Sequence, residues 1–378
     1  MTEKKQVRKK RSKSRTVQLV TFCLFLVIIY AFTFINLFSE KKDFSENENR
    51  VLAQFPSTKL SNVFFGDFDT EFETWFSDHF FARDFWIEAK ASTRKTMGAI
   101  ENNSVYFAKD GRLVQSHLTF DEKTLNNNIE YINEFTEENG ITANVIIVPD
   151  ASFGEKKELP IGAYSVDERE WIQNMEQQFS SQNFIDLTDY FSTSSGYYFK
   201  TDHHWNELGA KACYEVICRK ILNKAPQSFK LTEVSSEFYG TMYSKSGAFW
   251  SDPDSLYRID PETENPVTVT YEDGTSMDSL YAEENLSIKD AYTYYLGGNH
   301  ALTQIDTSIA NGKTALILKD SYAHILAPYL AQEYEHLILV DLRYYQSAVS
   351  QLLADNTDFY VIYSFDSFTS DSSIAKLW

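Results

Sequence analysis

Two short stretches of the chain hold side chains of the types that activate a hydroxyl group. In Thr201-Asp202-His203-His204-Trp205 a carboxylate and an imidazole lie two residues apart. Such a pair orients a general base and stabilises its protonated form. If the stretch is extended, alternate side chains share a side, so Asp202 and His204 face together and His203 faces away. The second stretch is Thr314-Ala315-Leu316-Ile317-Leu318-Lys319-Asp320-Ser321-Tyr322, an apolar run that ends in Asp-Ser and leads into a helical pattern. A serine there stands at the C-terminal edge of a parallel sheet, where α/β sites form, and amides at the helix start can face an oxyanion. Each stretch also has a plainer reading. Asp202 could cap the helix that follows, with the histidines as satisfied polar groups, and Asp320 or Ser321 could be a helix cap. A metal reading of Asp202, His203 and His204 needs further acidic motifs that are not seen, so no metal or cofactor is expected. His324, three residues beyond Ser321, is a weaker candidate base without an orienting acid, and His79 with Arg83 suits a capping or ion-pair role.

The elements that must position these residues follow an α/β alternation. Buried strands are expected at Ala143–Val148, Phe184–Leu187, Tyr197–Lys200, Tyr292–Leu296, Thr314–Leu318, His336–Val340 and Phe359–Ser364. Helices are expected around Asp167–Phe179, from Asn206 to Leu222, from Ser321, and near Ser347–Ala354. Gly209, Ala212, Cys213, Val216 and Ile217 fall on one helix face and pack inward. Residues 226–290 interrupt the alternation as an irregular β insertion. A helix over Phe64–Met97 carries an aromatic stripe, Phe68, Phe72, Trp75, Phe76, Phe85 and Trp86, expected as core. Asp110-Gly111 marks a hairpin turn. Cys213 and Cys218, five apart on a helix, suit burial rather than a disulfide.

The N-terminus sets location. Eight Lys/Arg and one acid occupy residues 1–16, and an uncharged run extends from Val17 to Phe38, about the ~20 residues that cross a bilayer. This predicts a basic cytoplasmic tail at 1–16, an uncleaved signal anchor at 17–38, a tether at 39–60 and an extracellular domain over 61–378. From residue 39 onward 27 basic face 53 acidic residues, a balance of −26. A body so charged repels polyanions such as nucleic acid.

The Thr-Asp-His-His-Trp string, with Asn206, Leu208 and Gly209 behind it, and the later Asp320-Ser321-Tyr322 resemble the DHHW protein family, close to AlgJ/AlgX-type alginate O-acetylation proteins. Phe76-Ser77-Asp78-His79-Phe80-Phe81-Ala82-Arg83, Lys109-Asp110-Gly111-Arg112-Leu113, and Val148-Pro149 with Leu159-Pro160 extend the resemblance over roughly residues 50–365. It implies an SGNH-hydrolase-like three-layer α/β fold with a parallel sheet and circularly permuted blocks. Ser321 would be the nucleophile, His204 the base and Asp202 the orienting acid. Asp341-Leu342-Arg343 would correspond to the family's D-x-R segment, placing Arg343 near the oxyanion or substrate, while Tyr322, Gly298 and Asn299 are further candidates there. The expected activity is O-acyl transfer, most simply O-acetyl transfer, to a cell-surface or exported polysaccharide, with a multi-spanning membrane acyltransferase supplying the acyl group. A carbohydrate esterase with the same residues, or a non-catalytic glycan-binding scaffold, fits the same sequence.

Overall fold

The computed structural model describes residues 2–193 and 195–378. They form two compact units, residues 1–90 and 91–378. In the first, α1 (Thr2–Phe38) is followed by a hairpin of β1 (Phe44–Ser45) and β2 (Arg50–Val51), then α2 (Leu60–Phe65), α3 (Phe68–Asp78) and α4 (Arg83–Thr96), whose last turns belong to the second unit. Within α1, Arg15–Phe38 is long and apolar enough to cross a membrane. The single helix expected over Phe64–Met97 is broken at Gly66 and again where Ala82 takes a left-handed φ of 53°. That division also alters the aromatic stripe. Phe72, Phe76, Phe85 and Trp86 are 37–60% exposed rather than core, because three short helices leave them no opposing layer.

The second unit begins with a small antiparallel sheet, β3 (Glu101–Asn102), β4 (Val105–Phe107) and β5 (Leu113–Gln115), turning at Asp110-Gly111. After α5 (Glu122–Asn139) come β6 (Ala143–Val148), α6 (Ala151–Gly154), α7 (Glu168–Gln178), β7 (Asn183–Asp186), α8 (Thr188–Thr193) and α9 (Glu207–Lys220). The 226–290 region supplies a two-stranded ribbon, β8 (Phe229–Phe238) and β9 (Asp254–Pro261), with α10 (Thr241–Ser246) between them, and then β10 (Val267–Tyr271) and β11 (Ser276–Met277). The chain ends with β12 (Leu302–Thr307), β13 (Thr314–Lys319), α11 (Ala323–Leu330), β14 (His336–Val340), β15 (Thr357–Ser364) and α12 (Phe365–Ser370).

One eight-stranded sheet, ordered β11-β10-β12-β14-β13-β15-β6-β7, organises this unit. The five strands from β14 to β7 are parallel, and β12, β10 and β11 continue the sheet antiparallel. Successive strand residues serve opposite faces. Ala315, Ile317, Tyr360 and Ile362 join the core beneath α9 and α11, while Leu316, Leu318, Val361 and Tyr363 join the core beneath α5, α7 and α12. Helices cover both faces of the parallel strands, which is why those strands read as unbroken apolar runs. Three expectations differ. Tyr292–Leu296 is not a strand but lies largely in a 3-10 turn, Ala291–Tyr294; Tyr197–Lys200 contributes only one bridge, Tyr198 to Trp205; and Ser347–Ala354 holds a 3-10 turn, Val349–Leu352. Cys213 and Cys218 are buried free thiols.

Candidate active site

Strand β13 delivers Asp320 and Ser321 to the carboxyl edge of the sheet. The Asp320 carboxylate is taken up by neighbouring groups. Its Oδ1 accepts the Tyr322 amide at 2.9 Å, and its Oδ2 accepts the Ser364 amide at 2.9 Å and hydroxyl at 2.8 Å from the end of β15. The hydroxyl of half-buried Ser321 is left to a different partner, His204 Nε2 at 2.7 Å. On the other side of the ring, His204 Nδ1 lies 2.6 Å from Asp202 Oδ1. A carboxylate only accepts, so Nδ1 carries the proton and Nε2 of the neutral ring accepts from Ser321. The acid, imidazole and hydroxyl thus form one relay that can draw a proton off Ser321.

Residues 201–204 are bent rather than extended. Asp202 Oδ1 also accepts the backbone N–H of His204 at 2.9 Å, the local turn that an Asp side chain makes two residues on. The bend brings His203 back beside His204, with ring centroids 3.8 Å apart, instead of sending it to the opposite face. Asp202 does not cap α9 either; Asn206 does, accepting the amides of Leu208 and Gly209 at 3.0 and 3.2 Å.

The second oxygen of Asp202 is held by Thr241, through its amide at 2.7 Å and its hydroxyl at 3.0 Å, and the same hydroxyl pairs with His203 Nδ1 at 2.7 Å. Gly240 lets this loop approach, since a Cβ there would sit 2.7 Å from Asp202 Cγ and closer still to its Cβ and Oδ2. Tyr292 lies flat against His204, 3.9 Å between centroids and 7° between planes, and donates to the Ser321 carbonyl at 3.0 Å. Gly240, Thr241 and Tyr292 carry no sequence signature of this duty; only the aromatic, polar character of their region marks them. Tyr322 is buried, its hydroxyl bonded to the His203 carbonyl at 2.5 Å, and its own carbonyl accepts the Trp205 indole at 2.8 Å. It braces the His203–Trp205 segment.

Burial alone would push the Asp202 carboxyl up. The imidazoles of His203 and His204 and the bonds from His204 and the Thr241 amide outweigh it and hold the group far below the carboxylate range. The relay therefore starts from an ionised acid. Beyond Asp202 and His203 is a cavity of about 70 Å³ lined by His117, Asp150, Ser152 and Asp366 among others. Burial opposes a charge on His117, but Asp150 at 3.0 Å and Asp366 at 3.5 Å raise it well above its usual range.

Arg343 and Asn299 are brought together, the guanidinium donating to Asn299 Oδ1 at 3.4 Å, and Arg343 is fixed on Asp341 through Nε at 2.8 Å and Nη2 at 2.6 Å. No hydrogen bond joins either of them to Ser321 or His204. Asp341 also meets the buried Lys319 at 3.3 Å, whose ammonium donates to His324 Nε2 at 2.8 Å. Burial drives the His324 imidazole well below its usual range, and no acid orients it. His324 stays a neutral buried acceptor. Among the described residues, ligand-type atoms also cluster within 4.8 Å in two sets, Asp202 with His203 and His204, and His117 with Asp150 and Glu168. In the first set the same atoms already bond one another, Ser321 and Thr241.

The relay and its braces, from Asp202 to Ser321, lie inside one segment that has known relatives. Residues 175–340 match the DHHW protein family. The matched segment holds Asp202, His204, Gly240, Thr241, Tyr292 and Ser321, while Asp341 and Arg343 fall just past its end. The chain is similar to the crystal structure of a DHHW family protein from Eubacterium siraeum, 24% identical over 72% of this chain and 95% of that one, with a TM-score of 0.63. It is also similar to Bacillus cereus PatB1, solved with a sulfonyl adduct, at 21% identity over 71% of this chain and 98% of that one and a TM-score of 0.55. These two likenesses show the fold. No curated protein matches the chain.

Proposed function

We propose that this chain is a membrane-anchored O-acyltransferase, most simply an O-acetyltransferase, acting on hydroxyls of a cell-surface or exported polysaccharide through an acyl-Ser321 intermediate. The observation that carries the reading is the continuous relay from Asp202 through His204 to Ser321 at the carboxyl edge of a parallel sheet. In the first half, Ser321 Oγ attacks the acyl carbonyl while its proton passes to His204 Nε2, and the tetrahedral oxyanion forms. Collapse breaks the bond to the leaving group, which takes the proton from His204. In the second half, an acceptor hydroxyl gives its proton to His204 and its oxygen attacks the acyl carbon; Ser321 leaves and recovers the proton. Asp202 stabilises the imidazolium formed in each half. The resemblance of the Asp202–Trp205 and Asp320–Tyr322 strings to DHHW and AlgJ/AlgX-type sequences supports acetyl as the group and a polysaccharide as the acceptor. The basic N-terminal flank supports a cytoplasmic N-terminus with the catalytic unit outside. An acetyl donor made in the cytoplasm would then reach Ser321 through a multi-spanning membrane acyltransferase.

The test is mass spectrometry of the full chain in detergent after exposure to 4-nitrophenyl acetate. The expected result is an acetyl adduct on the peptide carrying Ser321, absent in Ser321→Ala, and chased onto an added oligosaccharide. Acetate release that no oligosaccharide diverts assigns the chain to the esterases. A folded wild-type chain with neither adduct nor turnover refutes the nucleophile and leaves a glycan-binding scaffold.

A further inference from the structure

We propose that the first unit touches the bilayer twice: besides α1, the turn from α3 into α4, Phe80–Trp86, is seated in the membrane interface by Phe76, Phe81, Phe85 and Trp86. The argument begins with depth. The uncharged run Val17–Phe38 spans ~33 Å as a helix against a hydrocarbon core of ~30 Å, so Phe38 marks one membrane boundary. Phe32 lies six residues, about 9 Å, inward of that boundary. Yet Phe80 stacks on Phe32 with centroids 5.7 Å apart, Trp86 meets the same ring edge-on at 6.0 Å, and the Phe81 amide donates to the buried Asn36 side chain at 2.6 Å. Groups that touch the helix at that level share its depth.

The composition of the turn fits that place. Phe76, Phe81, Phe85 and Trp86 are 41–60% exposed and lie within eleven residues, a patch that water penalises and that an interface accepts, since aromatic rings collect at the headgroup level. Several polar groups around the patch are paired within the unit, which lowers the cost of a poorly hydrated setting. Arg50 pairs with Asp78, Arg83 pairs with Glu48, and Asp84 accepts from Asn47 at 2.8 Å. His79 meets the carbonyls of Trp75 and Lys42 at 2.8 and 2.9 Å, and the Trp86 indole donates to the Phe81 carbonyl at 3.1 Å. Paired charges beside uncovered rings, with exposed Glu40, Lys42 and Glu46 at the water side, are the pattern of an interfacial segment.

The experiment uses the full chain in phosphatidylcholine nanodiscs whose acyl chains carry bromine, with a bimane label at one cysteine. Cys213 and Cys218 are buried, so wild type labelled in detergent reports Cys23 in the anchor. In a Cys23→Ser background, Phe85→Cys and Phe76→Cys report the patch and Lys220→Cys, exposed on α9, reports the aqueous baseline. The expected result is quenching by lipid bromine at positions 76 and 85 roughly threefold above that at position 220, with a blue-shifted emission. Quenching at Cys23 together with free access of aqueous iodide to positions 76 and 85 overturns the second contact while leaving the anchor. Shielding of both positions from bromine and iodide alike means that protein covers the patch, which also overturns it. No quenching at Cys23 removes the anchor and the proposal with it.

Discussion

Replacing Gly240 with alanine tests whether Asp202 is held in place by steric fit. Gly240 has φ −81° and ψ −167°, values open to any residue, so the backbone tolerates alanine and only space opposes it. The new methyl would stand 2.7 Å from Asp202 Cγ, where carbon atoms need about 3.5 Å. Asp202 or the Gly240-Thr241 loop must therefore give way by about 1 Å, and either movement pulls the carboxylate off Thr241, off His204, or both. A misplacement of that size in a catalytic constellation costs about 100-fold in rate, equivalent to about 2.7 kcal/mol of barrier. Overpacking by one methyl should lower stability by about 1–3 kcal/mol, enough to move the melting temperature without unfolding the chain at 25 °C. The assay is kcat for 4-nitrophenyl acetate by the full chain in detergent, paired with thermal unfolding. A Gly240→Ala chain that melts normally and turns over within about threefold of wild type would refute the claim that this contact positions the acid.

Two further outcomes follow from the same geometry. Asp202→Asn should keep most of the packing but present an amide to His204 Nδ1, favouring the wrong tautomer and lowering kcat by about 10³–10⁴; acetylation kinetics at Ser321 measure it. Glu207 gives a stability test remote from the chemistry. Burial raises its carboxyl to about 7 although the Tyr295 hydroxyl and Tyr257 amide both bond its Oε1. Below the ordinary Glu range both folded and unfolded chains hold the proton. As pH rises toward 7 only the unfolded chain releases it, so the group costs the fold more with each step, up to about 3 kcal/mol above pH 7. Glu207→Gln keeps an oxygen for both donors and loses the titration. Its stability relative to wild type should rise by about that amount between pH 4.5 and pH 8 in urea unfolding, and a flat difference would contradict it.

The parallel strands were legible because they are covered on both faces and so appear as short apolar runs; β6 and β14 fall on the expected residues. Asp202, His204 and Ser321 stand out as a carboxylate two residues from an imidazole and a serine after a buried strand, types that also serve as caps, and the structure brings the three into hydrogen-bond reach. The differences come from local turns and long-range contacts that propensity does not register. Asp202 folds its carboxylate onto its own backbone, so residues 201–204 bend where an extended stretch would have sent His203 away. Around Tyr292 the aromatic run reads as β, yet it forms a 3-10 turn whose first tyrosine is drawn against His204. Gly240 and Thr241 act through a close approach across 39 residues of sequence, for which a single chain shows no periodic mark.

The hydrogen-bonded relay is also a late product of folding. His204 and Ser321 are 117 residues apart, and Asp320 is pinned by Ser364 a further 44 residues on. Contacts of such sequence separation form only after the entropy of large loops has been surrendered, which slows folding. The arrangement of Asp202, His204 and Ser321 is therefore completed only after β13 has formed, and Asp320 beside it is pinned only once β15 has joined. Closure of these hydrogen bonds is thus a marker of completed folding of the second unit, set by connectivity alone.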